Sequence, residues 1–230
     1  MLELNDINTY YGENHILFDV DLSVEEGEVV SIVGRNGVGK TTTIRSIMNL
    51  AEVREGSITF RGEDITGMPT EKIARLGIGY VPEGRDIFAG LTVRENLQIA
   101  ATNVDDPDER IERAVERFPK LNQLMASKGG HLSGGEQQML AIARALVGEN
   151  DLLLIDEPTE GLAPLIAEDV RDAISDLKGE MTILLVEQST KLVYDISDRL
   201  YGMVDGEIVF EGTPDEASET GQVEDILTLS

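Results

Sequence analysis

Val29-Val-Ser-Ile-Val33-Gly34-Arg35-Asn36-Gly37-Val38-Gly39-Lys40-Thr41-Thr42 is the stretch that decides the fold. Its first five residues read as a short strand buried on both faces. The loop that follows fits GxxxxGK[ST], the phosphate-binding pattern, and a helical stretch from Lys40 to Leu50 comes next. Glycines let backbone N–H groups close around phosphates, and the helix N-terminus adds a favourable dipole. On this reading Lys40 reaches the β- and γ-phosphates and the Thr41 hydroxyl ligates Mg²⁺. The competing reading, a glycine turn with a solvated lysine, does not need a buried strand before the loop and a helix after it.

Outward from this loop, Leu152-Leu-Leu-Ile155-Asp156-Glu157 is an apolar strand ending in two acids. Asp156 stands where a carboxylate can hold Mg²⁺, directly or through water, and Glu157 where one can polarise an attacking water. Such a strand alone is as well explained by solvated acids; a phosphate loop upstream makes that explanation poor. Between the two lies Leu132-Ser133-Gly134-Gly135-Glu136-Gln137-Gln138. Ser133-x-x-Glu136 is a capping box for the helix through Met139, Ile142, Ala143 and Leu146. A cap does not need two glycines after the serine, so the loop also reads as a second anion-binding loop without a lysine of its own.

The rest of the chain supplies the frame. Leu2 to Val24 alternates in a strand-like way around Tyr10-Tyr11-Gly12 and turns at Glu25-Glu26-Gly27. Ser57–Arg61, Ile78–Val81 and Thr182–Val186 read as further strands. Ile166, Val170, Ala173, Ile174 and Leu177 fall at helical spacing. From about Arg85 to Leu146 the pattern is mostly helical, with helix starts signalled at Thr92-x-x-Glu95 and Asp106-Pro107-x-Glu109. Strands alternating with helices predict a parallel sheet with right-handed crossovers. The expected architecture is therefore one α/β domain over 1–230, with an N-terminal antiparallel β part and a helical insert over roughly 85–146.

Composition narrows the partners. The chain has 44 Asp+Glu against 19 Lys+Arg, a formal charge of −25, and arginine outnumbers lysine 13 to 6. Such a surface repels phosphate backbones and anionic lipid, which argues against nucleic acid or bare membrane as partner. Acidity spread along the whole length resembles proteins of a high-salt cytoplasm, where self-repulsion is screened. No apolar stretch approaches the length of a membrane span, and Met1-Leu-Glu-Leu-Asn-Asp lacks the features of a signal peptide, so a cytosolic location is expected. With no cysteine, disulfides and thiolate metal sites are excluded. His15 and His131 lack metal-ligand partners at useful spacing and read as surface residues.

Phosphate loop, signature and acidic strand, in this order and at these separations, resemble the ATP-binding cassette of ABC transporters, from about Leu2 to about Gly212. The resemblance implies a P-loop NTPase core that binds and hydrolyses ATP with Mg²⁺. Lys40, with Gly34 to Thr42, would hold the phosphates; Thr41 and Asp156 the metal; Glu157 would be the general base. Ser133, Gly134, Gly135 and Glu136 would contact the γ-phosphate held by an opposing subunit, and Tyr11 would stack on adenine, unless it is a packed strand tyrosine. Three positions depart from the general pattern: Glu83 where a glutamine usually follows Val-Pro, Gln188 at the switch histidine, and Ala163 in place of an aspartate. Together, Val81-Pro-Glu83-Gly-Arg85, Asp156-Glu-Pro-Thr-Glu160-Gly-Leu-Ala-Pro164 and Leu185-Val-Glu187-Gln188 look like the shorter ATPase subunit of branched-chain amino-acid transporters.

That likeness implies permease subunits supplied by other chains, pairing with itself or with a second ATPase subunit, and a solute-binding protein acting indirectly, at the cytoplasmic face of the membrane. Import of branched-chain amino acids is expected, with urea or short amides as the competing solutes. Ile87, Phe88 and Leu91 either pack the insert or face the permease. Two rival classes compete with this reading. A DNA-repair or chromosome-organising ATPase would need a long coiled-coil insertion, and only about 90 residues separate Lys40 from Leu132. A non-transport regulatory cassette is usually built as two cassettes in one chain.

Overall fold

The computed structural model describes residues 1–102 and 104–228. In chain order its elements are β1 (Leu2–Tyr11), β2 (Asn14–Val24), β3 (Val29–Val33), α1 (Lys40–Ile47), β4 (Glu52–Phe60), β5 (Glu63–Asp64), α2 (Thr70–Arg75) and β6 (Ile78–Val81). Helices α3 (Val93–Ala100), α4 (Pro107–Glu116), α5 (Pro119–Asn122) and α6 (Gly134–Val147) follow. The chain returns to the sheet with β7 (Leu152–Asp156), α7 (Pro164–Ser175), β8 (Thr182–Glu187), α8 (Thr190–Ile196), β9 (Arg199–Val204) and β10 (Glu207–Gly212), and closes with α9 (Pro214–Thr220) and α10 (Gln222–Thr228).

Two sheets result. One is antiparallel, in the order β2-β1-β4-β5; the other runs β10-β9-β3-β8-β7-β6, parallel except for the β10 edge. Strand alternation explains how the parallel sheet is buried on both sides. On β7 and β8, Leu152, Leu154, Leu184 and Val186 join the core under the antiparallel sheet and α1. Their neighbours Leu153, Ile155, Ile183 and Leu185 join the core under α6 and α7. Each such buried aliphatic side chain contributes about 2 kcal/mol, and the two-sided burial fixes the register that brings the strand ends level.

Several expected boundaries move for identifiable reasons. The helix after the phosphate loop stops at Ile47 rather than Leu50, because Asn49 adopts a left-handed conformation at φ 52°. The strand expected over Ser57–Arg61 starts at Glu52, since pairing with β1, from Tyr10↔Glu52 to Leu2↔Phe60, extends it through charged residues. The capping boxes at Thr92 and Ser133 both form. At Asp106 the helix begins as expected, but Asp106 sits at φ 50° and makes no side-chain cap; the preset backbone of Pro107 starts α4 instead. Among the described residues no helix is long and apolar enough to cross a membrane.

Candidate functional site

The buried strand β3 delivers the chain to the loop, and the loop is shaped around Lys40. Gly39 at φ 116° makes the turn into α1; a methyl group there would fall 2.7 Å from Leu17 Cδ2. Gly34, Gly39 and Lys40 are buried, whereas Arg35, Asn36 and Gly37 face solvent with Val38 between the two extremes, and Thr42 packs inward on α1. The Lys40 ammonium donates to the Gly34 carbonyl at 2.9 Å and to the Arg35 carbonyl at 3.0 Å. Its third partner is the Glu157 carboxylate, 2.9 Å away. All three N–H bonds are thus used, and the lysine is fixed at the mouth of α1 with its charge matched.

Strand β7 supplies the opposing wall. The Thr41 hydroxyl donates to Asp156 Oδ1 at 2.9 Å, and the Tyr80 hydroxyl on β6 donates to Asp156 Oδ2 at 3.3 Å. Burial, helped by the charges of Glu157 and Glu83, pushes the Asp156 carboxyl up to about 6. Burial and the Asp156 charge also push the Tyr80 hydroxyl up to about 12. Glu157 turns off the end of the strand at φ 44°, a conformation that a glutamate rarely adopts, and its N–H is held by the Val186 carbonyl at 2.9 Å. Beyond it, Glu160 shares a hydrogen bond with the Glu157 carboxylate; that bond, partial burial and the Glu157 and Glu83 charges push its carboxyl up to about 7. Four carboxyl groups, from Glu83, Asp156, Glu157 and Glu160, therefore face one another beside a single buried lysine.

The second glycine loop is built differently. Ser133 N–H donates to Glu136 Oε2 at 2.8 Å, and Glu136 N–H to the Ser133 hydroxyl at 3.4 Å. The bond from the Ser133 backbone holds the Glu136 carboxyl below its ordinary value. Ser133 and Gly134 are exposed, but Gly135 is buried: a methyl group on it would fall 2.2 Å from Ile166 Cγ2 on α7. Close approach of α7 is thus reason enough for glycine at 135. Arg85 donates to the Gln138 side chain at 3.3 Å, with its guanidinium over Gly134, and so ties this loop to the segment after Glu83.

The remaining expected residues divide. Tyr11 ends β1 with 39% of its surface exposed, more than a core strand tyrosine shows. Glu83 and Gln188 are exposed near the acidic group and at the end of β8 respectively. Ile87 packs against the core of the insert, whereas Phe88 is exposed with the Arg144 guanidinium 4.8 Å from its ring centroid. His131 lies at the surface, but His15 does not: it stacks on Tyr10 at 4.1 Å and contacts Phe18, half-buried. Stacking on its β-hairpin neighbours corrects the surface expectation for His15. Reading the sequence assigned no part to Tyr80, Glu160 or Glu187. For Glu187 a signal existed, an acid closing a wholly apolar strand just as Asp156 closes β7.

Residues 17–160 match the ABC transporter family. The probable branched-chain amino acid transport ATP-binding protein LivF of Archaeoglobus fulgidus is 44% identical over 95% of this chain and 94% of its own length. The high-affinity branched-chain amino acid transport ATP-binding protein BraG of Pseudomonas aeruginosa is 41% identical over 93% of each chain. Among solved structures, the dimeric bacterial ABC transporter cassette MJ0796 superposes with a TM-score of 0.82 at 28% identity, over 93% of this chain and 99% of that one.

Proposed function

This chain belongs to the ABC transporter family as an ATP-hydrolysing subunit, and from that premise we propose that its transporter imports branched-chain amino acids. The observation that supports the chemical part is the meeting of Lys40 with Glu157 and of Thr41 with Asp156, where the start of α1 faces the end of β7. The names carried by the LivF and BraG relatives support the solute. In this reading Gly34 to Thr42 wrap the phosphates and Lys40 exchanges its carbonyl and carboxylate partners for phosphate oxygens. That exchange frees Glu157 to orient a water and take its proton as it attacks in line, so catalysis is positioning and charge stabilisation. Gln188 reaches the γ-phosphate as a hydrogen-bond donor that does not titrate, and Tyr11 offers its exposed ring to adenine.

The donor set fits Mg²⁺. The Thr41 hydroxyl and the Asp156 carboxylate are two hard oxygen donors already converged, and Mg²⁺ in phosphate sites takes few protein ligands and completes its shell from phosphate and water. Bound there, the ion would neutralise charge on the β- and γ-oxygens.

Residues 1–230 act in this reading as one cassette, with residues 85–146 as a helical subdomain that presents the Ser133–Glu136 loop to a partner cassette. Dimerisation of MJ0796 supports that geometry. The permease seat is the groove of about 370 Å³ lined by Leu50, Arg85, Asp86, Ala100 and Arg144, beside exposed Phe88. It would hold the chain on the cytoplasmic face of the membrane. The deciding experiment has two arms. Glu157→Gln retains ATP binding and loses turnover, since an amide keeps the shape but cannot accept the proton; near-normal hydrolysis by this variant would remove the base assignment. With permease and solute-binding protein reconstituted, leucine stimulates ATP hydrolysis; stimulation by urea or a short amide instead would reassign the solute.

A further inference from the structure

Glu187 ends β8 with 3% of its surface exposed, and both of its carboxylate oxygens are doubly engaged. Oε1 accepts from the Thr159 backbone N–H at 3.2 Å and from the Thr159 hydroxyl. Oε2 accepts from the backbone N–H groups of Gln188 at 2.9 Å and Ser189 at 3.0 Å. Thr159 lies two residues after Glu157 in the loop leaving β7; Gln188 and Ser189 form the loop leaving β8. One buried side chain therefore ties the loop leaving β7 to the loop leaving β8 at the strand ends.

We propose that Glu187 is a positioning residue that clamps the loop carrying Glu157 to the loop carrying Gln188, so that both meet the γ-phosphate as one unit. Physical chemistry restricts this task to a carboxylate. Four donors converge on two oxygens, and only an acceptor-only group can satisfy them all. A glutamine of the same shape would aim its own N–H₂ either at the Gln188 and Ser189 N–H groups or at the Thr159 N–H, and in each case leave at least one backbone donor unpaired. β8 lies between β3 and β7, with Glu187 level with Val33 at the start of the phosphate loop and Val186 level with Asp156. The clamp thus stands at the midpoint of the site, and Glu157, held in its left-handed conformation by the Val186 carbonyl, receives a second restraint through Thr159.

This inference rests on the assignment of Glu157 and Gln188 given above, and the test separates the two. On the purified full chain, Glu187→Gln lowers kcat for ATP hydrolysis by about 10- to 100-fold, the scale of a misplaced catalytic group. KM and the affinity for a non-hydrolysable ATP analogue stay unchanged. A residue that merely holds the fold would lower the melting temperature and leave kcat intact well below it. Thr159→Val, which keeps the carboxylate and removes one donor, lowers kcat in the same direction by less, and guards against a Glu187 variant that does not fold. Combining Thr159→Val with Gln188→Ala gives a loss smaller than the product of the single losses, whereas in a Glu187→Gln background the two effects multiply independently. Unchanged kcat in Glu187→Gln, or independent effects with Glu187 present, would overturn the clamp. Glu157→Gln measured alongside reports on the site assignment itself: if it turns over normally, the base is elsewhere whatever Glu187 does.

Discussion

Two glycine loops in this protein each open a helix, yet they are finished in opposite ways. The loop before α1 encloses its own cation: Lys40 is buried, with two carbonyls and the Glu157 carboxylate around it. The loop before α6 encloses no cation; Ser133 and Glu136 cap each other, with Ser133 exposed and Glu136 half-buried. Helix N-termini attract anions in both cases, but only the first has the fixed positive charge and opposing carboxylates that phosphoryl transfer needs. The second is a complementary surface. In the function proposed above its partner cassette brings the phosphate, and the dimeric MJ0796 cassette offers a precedent for that arrangement.

The comparison is broken most severely at Lys40. Lys40→Ala abolishes detectable ATP binding, because the loop loses its fixed cation, and it leaves the buried Glu157 carboxylate without its counter-charge, an additional cost of about 3–5 kcal/mol. Titration with a fluorescent ATP analogue and thermal melting read the two effects. Next comes Ser133→Arg in a Glu157→Gln background. With ATP, the Glu157→Gln protein sediments as a dimer; the added arginine removes the dimer while nucleotide binding persists. A dimer that survives the arginine reduces Ser133 to a helix cap, and a Glu157→Gln protein that stays monomeric points to pairing with a second kind of ATPase subunit.

Two smaller effects sharpen the contrast. Gly135→Ala forces a methyl group against Ile166 and costs about 1–3 kcal/mol in denaturant unfolding; Ile166→Ala in the same chain restores part of it. Loss of ATP-dependent dimerisation with no loss of stability would instead reserve Gly135 for the partner's nucleotide. At the first loop, Glu160 is pushed up to about 7, mainly by its bond to Glu157. A raised carboxyl favours folding fully below its ordinary value and loses that contribution as pH rises through the folded one. Glu160→Gln therefore raises the melting temperature slightly at pH 8 and not at pH 5, and added salt shrinks the gain because the group is mostly exposed.

The residues proposed to bind and hydrolyse ATP lie in contiguous runs, and a local run carries its own physics. Nearly apolar stretches over 29–33, 152–155 and 182–186 read as strands buried on both faces, and glycines followed by Lys40-Thr41 have one good structural use. Elements after Gln188 lacked such runs; β9 is short and interrupted by Gly202 although it is buried, and β10, α9 and α10 are short and largely exposed, so tertiary contacts decide them. Tyr80 and Glu187 likewise acquired their places from sheet order, whereas Glu160 is set beside Glu157 by a local turn. Tyr80 reaches Asp156 because β6 pairs with β7, and Thr159 meets Glu187 because β7 lies beside β8. The sequence by itself determined which chemistry is present, since motif residues are fixed by their covalent neighbours. Which further side chains orient that chemistry was decided only by the tertiary structure, because a hydrogen bond between residues 28 positions apart exists only after the strands have set their register.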